Sequence, residues 1–137
     1  MSTALSPKVL GIGGLFFKSP NPDACRDWYG RVLGLAFEDW GGIVFTPDAA
    51  AAHPGAGTVF SPFAADTAYF APSDAPFMFN LMVDDLDAIL ARCAEQGVEP
   101  LAAVLDEFNG KFAHIMDPDG RKIELWEPKA IDFGPKA

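Results

Sequence analysis

Histidine is scarce in this chain, and its scarcity limits the chemistry that can be read into it. Only His53 and His114 occur among 137 residues, whereas a divalent-metal centre draws about three or more ligands from its protein. Cysteine is as rare. Cys25 and Cys93 stand alone, each inside a predicted helix with no second Cys or His at metal spacing, so they read as buried thiols. Basic residues number 10 against 19 acids, for a net charge of −9. That balance leaves no basic face for phosphates and argues against a nucleic-acid partner. No apolar run reaches the roughly 18 residues of a membrane span, and the N-terminus lacks the basic-then-apolar pattern of a signal. The expectation is a cytoplasmic protein with no membrane association.

What the chain has is apolar bulk. Half of it is hydrophobic and 12 residues are Phe, enough for one domain, 1–137, with its own core. The clearest local signal is Gly110 to Pro128, built around Asp117-Pro118-Asp119-Gly120. Pro118 presets a type I turn, Asp117 can bond the backbone ahead of it, and Gly120 can take the left-handed conformation that closes a bulged hairpin. If Asp117 pairs with Arg121, Phe112 faces Trp126, His114 faces Glu124 and Met116 faces Lys122 on one side of the sheet. The other side is Ala113, Ile115, Ile123 and Leu125, uniformly apolar and suited to burial under helices. The mixed side is where a ligand would go.

In chain order, Val9 to Lys18 is an apolar run interrupted by Gly11, Gly13 and Gly14, read as a strand close to another backbone. Asn21 caps a helix from about Asp23 to Val32, with Ala24, Trp28 and Val32 inward and Gly34 ending it. Leu35 to Thr46 reads as two short strands, Asp48 to Gly57 as a loop with one helical turn at most, and Thr58 to Phe63 as a strand. Ala64 to Pro76, with Tyr69 and Phe70, is long for a connection inside a domain and so links modules or covers a site. Pro76 to Val83 is a strand with Phe77, Phe79 and Leu81 on one face and Met78, Asn80 and Met82 on the other. Asp84 or Asp85 caps a helix through Leu86, Ile89, Leu90 and Cys93 that stops at Gly97, and Val98 to about Leu105 leads into the hairpin.

The helix landmarks repeat at an offset of 63, Asn21 with Asp84 and Gly34 with Gly97. Two βαβββ modules, about 9–63 and 77–128, follow from that repeat. The expected fold class is α+β: one curved, largely antiparallel sheet of about eight strands, helices on the convex face and a concave cleft inside.

The sequence resembles the vicinal oxygen chelate superfamily of glyoxalase I, bleomycin- and fosfomycin-resistance proteins and extradiol dioxygenases. The resemblance covers roughly Val9 to Pro128. It rests on Asn21 to Leu35, on Val83-Asp-Asp-Leu-Asp-Ala88 with Gly97-Val98, and most specifically on Asp117-Pro-Asp-Gly-Arg-Lys-Ile-Glu-Leu125. The glyoxalase-related group is nearest, through Phe16-Phe17, Ser61-Pro-Phe63 and Ile123 to Pro128. Metal enzymes of this superfamily place a His on the first strand of each half and a carboxylate on the last strand. Carried over, the first position falls at or beside Gly14, the second at or beside Met78 and the carboxylate at Glu124. Only Glu124 matches, so no metal and no other cofactor is expected.

Two functions stay open. One is a binding protein like the bleomycin-binding members, holding a small apolar or aromatic molecule against Phe16, Phe60, Met78, Asn80, Phe112 and Trp126, with Tyr69 a further contact. The other is a glyoxalase-type lyase or isomerase, or a dioxygenase-related enzyme, using Glu124 as base with His114 assisting. Glu124 and His114 can equally be a structural pair, with Lys122 or Lys18 as other partners for the carboxylate. A homodimer is expected, because an open sheet leaves edges for a second chain to cover.

Overall fold

The computed structural model describes residues 6–131. In chain order its elements are α1 (Pro22–Leu33), α2 (Pro47–Ala51), β1 (Phe79–Met82), α3 (Leu86–Glu95), β2 (Leu105–Glu107), β3 (Gly110–Met116) and β4 (Lys122–Pro128). The sheet runs β1-β4-β3-β2, with β1 parallel to β4 and the other pairs antiparallel. The second half is thus one βαβββ unit in an α+β chain.

The hairpin takes the register that its turn dictates. The Asp117 N–H donates to the Arg121 carbonyl at 2.8 Å, Asp117 Oδ1 accepts from the backbone N–H groups of Asp119 and Arg121 at 2.9 Å each, and Gly120 sits at φ 84°. Phe112 then lies opposite Trp126, His114 opposite Glu124 and Met116 opposite Lys122. The alternate face, Ala113, Ile115, Ile123 and Leu125, is sealed beneath the helices. Each large aliphatic side chain buried there contributes about 1.5–3 kcal/mol.

Both helices begin at their expected caps. Asn21 Oδ1 accepts from the Ala24 N–H and Asp85 Oδ1 from the Ala88 N–H, each at 3.1 Å. Asp85 rather than Asp84 is the second cap, so the caps lie one residue further apart than the stops Gly34 and Gly97, which both sit in the left-handed region. The buried stripe of α1 is Cys25, Tyr29, Val32 and Leu33. It is turned by about one residue from the expected Ala24–Trp28 line, leaving Trp28 half-buried at the core's edge. Cys93 of α3 packs on Val32, and burial pushes both cysteine thiols up from their ordinary pKa.

That rotation places Tyr29 under the hairpin turn. Its hydroxyl donates to Asp117 Oδ2 at 2.7 Å, beside Arg121 Nη1 at 2.6 Å. Arg121 Nη2 donates to the Lys18 carbonyl, and the guanidinium lies 4.6 Å from the Phe17 ring centroid. Burial, with the hydrogen bond and charge of Asp117, raises the Tyr29 pKa. The clamp joins α1 and the end of the first segment to the second half through satisfied buried groups, which are costly to leave unpaired.

The first half departs from the expected architecture. Among the described residues no strand forms in Val9–Lys18, Leu35–Thr46 or Thr58–Phe63, and the sheet has four strands rather than about eight. Leu35–Thr46 keeps only a turn, with the Glu38 N–H donating to the Gly42 carbonyl at 2.8 Å. Val98–Val104 also stays outside the sheet, where β2 starts at Leu105. The first-half segments carry strand-like composition but, among the described residues, have no neighbour supplying a hydrogen-bonding ladder, and the glycines of the first run weaken it further; Val98–Val104 makes one such bond, the Leu101 N–H donating to the His114 carbonyl of β3 at 2.8 Å. Many of their apolar side chains, including Val9, Leu15, Val44 and Val59, are exposed, while Leu35, Phe37 and Val98 pack partly against the core. Asp48–Gly57 forms the single helical turn allowed for it, α2, followed by a loop.

Candidate functional site

The sheet face away from the helices carries one compact polar cluster. Cross-strand pairing sets His114 of β3 against Glu124 of β4, and parallel pairing sets Asn80 of β1 on the other side of Glu124. Asn80 Nδ2 donates to Glu124 Oε1 at 2.8 Å. His114 Nε2 lies 2.8 Å from Glu124 Oε2, where against an ionised carboxylate it donates. The fourth member comes from the long connection. The Tyr69 hydroxyl donates to the same Oε2 at 2.5 Å and lies 3.3 Å from His114 Nε2.

The connection is itself fastened over the face. Lys122 Nζ donates to the Tyr69 carbonyl at 2.7 Å and sits 5.0 Å from the ring centroid, while Phe63 stacks on the ring at 5.9 Å. Lys122 therefore holds the connection rather than neutralising Glu124. Further along the sheet Phe112 and Trp126 lie parallel, 6.1 Å apart at 4°. The Trp126 indole N–H donates to the Asn109 carbonyl at 3.0 Å, so this ring is a packed floor, only 5 % exposed.

Burial alone would raise the Glu124 pKa, but hydrogen bonds from His114, Tyr69 and Asn80 outweigh it and hold the carboxyl below its ordinary value. Burial and the neighbouring Glu124 anion push the Tyr69 phenol up. At neutral pH Glu124 is a fixed anion and Tyr69 a neutral phenol. A carboxylate supplied with so many donors is a good acceptor of hydrogen bonds and a weak proton base. Nor does the donor set suit a divalent cation. Among the described residues no three His, Cys, Asp or Glu side chains converge, and both Glu124 oxygens are already occupied by side-chain donors. Glycine and a thioether, at the positions where the resemblance puts histidines, offer such an ion nothing.

The sequence-predicted residues divide. Glu124, His114, Asn80, Phe112 and Trp126 share the open face, and half-buried Met78 lies just ahead of β1. Phe16 and Phe60 are not brought to it, being 93 % and 88 % exposed. Phe16 instead lines a cleft of about 850 Å³ at the turn end of the hairpin, with Phe17, Lys18, Phe77, Met116 and Arg121. In that cleft Arg121 is already engaged by Asp117 and Lys18, and one wall is a side chain open to solvent. Convergent polar groups lie at Glu124 instead, and they make it the better candidate site. Tyr69 was expected as a ligand contact from a segment long enough to cover a site, but its bond to Glu124 was not foreseen.

A βαβββ unit whose last strand turns a carboxylate onto its open face defines a class, the vicinal oxygen chelate superfamily with its glyoxalase- and bleomycin-resistance-like proteins. Within it, residues 14–126 match the model of the glyoxalase-like domain, and the chain belongs to that family. No curated protein matches it. Among solved structures it is similar to TnmS3, an antibiotic-binding protein from Streptomyces sp. CB03234, at 39 % identity over 37 % of this chain and 41 % of that one, TM-score 0.32. A glyoxalase family protein from Enterococcus faecalis is 29 % identical over 47 % and 52 %, TM-score 0.35. A glyoxalase/bleomycin resistance protein from Catenulispora acidiphila DSM 44928 is 25 % identical over 80 % and 90 %, TM-score 0.41. The chain spans about half, or less, of the first two. At such TM-scores no geometry is transferred from them.

Proposed function

We propose that this protein binds a small, apolar or aromatic molecule on the open face of its sheet, without a metal ion. The observation that supports the reading is the state of Glu124: an anion whose oxygens are met by Asn80, His114 and Tyr69 beside the aromatic surface of Phe112. Such a site orients a ligand by hydrogen bonding while an apolar wall supplies area, and burying one side of a planar molecule brings affinity to roughly the micromolar range. The alternative, a glyoxalase-type lyase or isomerase, needs Glu124 to take a proton from carbon. The donors that depress its pKa work against that step. Titration of the intrinsic fluorescence with planar aromatic compounds tests the binding reading. Saturable binding in metal-free buffer is the expected result; one Zn, Ni, Mn or Fe per purified chain, lost in Glu124→Gln, would refute it.

The binding unit is proposed to be a homodimer. A compact monomer of this mass exposes about 6,900 Å², whereas this chain exposes 9836 Å². Even if the eleven terminal residues outside the description took the roughly 1,700 Å² of a fully extended stretch, about 1,200 Å² of excess remains. The first half's apolar segments contribute to that excess, and its size per chain suits an obligate dimer. A second copy would offer each unpaired strand segment a partner and extend the four-stranded sheet toward the expected eight.

A further inference from the structure

We infer that the ligand carries a phenolic hydroxyl, and that the Tyr69 side chain is its internal stand-in. The inference rests on the binding role proposed above and adds the ligand's chemical class. Of the three donors to Glu124, Asn80 and His114 are carried by β1 and β3 and fixed by the sheet's register. Tyr69 alone comes from a segment with no helix or strand, shaped by turns such as Thr67 N–H to Ala64 carbonyl at 3.0 Å and Ala71 N–H to Ala68 carbonyl at 3.1 Å. It is also 38 % exposed.

Everything around the Tyr69 ring recognises an aromatic ring bearing an acidic O–H. Phe63 stacks on one face at 20°, the His114 imidazole meets the ring edge-on at 5.6 Å and 87°, and the Lys122 ammonium lies 5.0 Å from the centroid. The hydroxyl reaches Glu124 Oε2. Glu124 Oε2 already accepts from both His114 and Tyr69, so an incoming hydroxyl takes its place on that oxygen by replacing the tyrosine hydroxyl with one of its own. A phenol more acidic than tyrosine makes the stronger bond to a carboxylate, and release of a loop-borne side chain disturbs none of the sheet. The exchange is of one hydrogen bond for another of the same kind. An ether or a bare hydrocarbon would leave Glu124 short of a donor.

Calorimetric titration with naphthol and with its methyl ether tests this in the wild type, in Tyr69→Phe and in Glu124→Gln, all checked by circular dichroism. Tyr69→Phe removes the competing hydroxyl and should bind naphthol roughly tenfold more tightly, the scale of one hydrogen bond to a charged acceptor, with the ether much less affected. Glu124→Gln should reduce the preference for naphthol. Equal affinity of Tyr69→Phe for naphthol and ether overturns the inference while the apolar-binding reading stands. Weaker naphthol binding by Tyr69→Phe also overturns it, making Tyr69 a wall of the site. If neither compound binds any of the three folded proteins, the inference and the binding role fall together.

Discussion

The two halves of the molecule share a pattern but not a fate. Both read as strand, capped helix, glycine stop and further strands, and both helices formed with their caps in place. Only the second half assembled its sheet. The difference lies in where pairing information is stored. In β3 and β4 it is in the turn between them, where Asp117 and Gly120 fix the register before any distant contact is needed. In Val9–Lys18 and Thr58–Phe63 alternation says which side chains share a face and nothing local says which strand lies alongside. An amphipathic pattern specifies a face; a turn specifies a partner.

The contrast can be broken first at its strongest point. Ile123→Asp places a carboxylate where the side chain is fully buried, and should cost more than about 4 kcal/mol, enough to unfold the domain. The matching change Val44→Asp, on an exposed residue, should leave monomer stability within about 0.5 kcal/mol; urea denaturation of both variants makes the comparison. If the first half is completed by a second copy, Phe60→Asp should take the light-scattering mass from twice 14.7 kDa to that value with the circular dichroism unchanged. A wild type already monomeric at high micromolar concentration contradicts the dimer. Tyr29→Phe, which loosens α1 from the turn, should lose about 1.5–3 kcal/mol, the worth of a hydrogen bond to a charged acceptor.

The smallest effect is electrostatic. Glu124 has a folded-state pKa below its unfolded value, so its contribution to stability is complete above the ordinary carboxylate range and disappears as pH falls through the folded value. Thermal unfolding followed downward from neutral pH should show the wild type losing an advantage over Glu124→Gln on the acid side. Parallel curves would mean that the carboxylate is not held as the geometry says.

Much of this was legible in the chain. The hairpin register, the face bearing His114 and Glu124, and the cap at Asn21 all follow from chemistry spread over a few residues. Asn80 was legible too, because strand parity carried it to the open face. Tyr69 was legible as a contact but not as a donor to Glu124: that bond spans 55 positions and comes from a segment with no period to extrapolate. Asp117 was read as a turn residue only, since a turn motif does not announce that its carboxylate will also receive a tyrosine from a helix. Phe16 and Phe60 were assigned to the cleft from segments read as strands, and those segments find no partner among the described residues, so nothing turns them toward the site.

The clamp beneath the turn also sets a sequence of events. Asp117 meets Arg121 across four residues but meets Tyr29 across 88, and long closures are the slow ones. The turn should therefore be formed in the folding transition state and the tyrosine arrive after it. In kinetic terms Tyr29→Phe should hasten unfolding and leave refolding almost untouched, while Gly120→Ala, strained in the left-handed region, should slow refolding. The residue that positions the hairpin would then also act as the latch that keeps the first half from leaving.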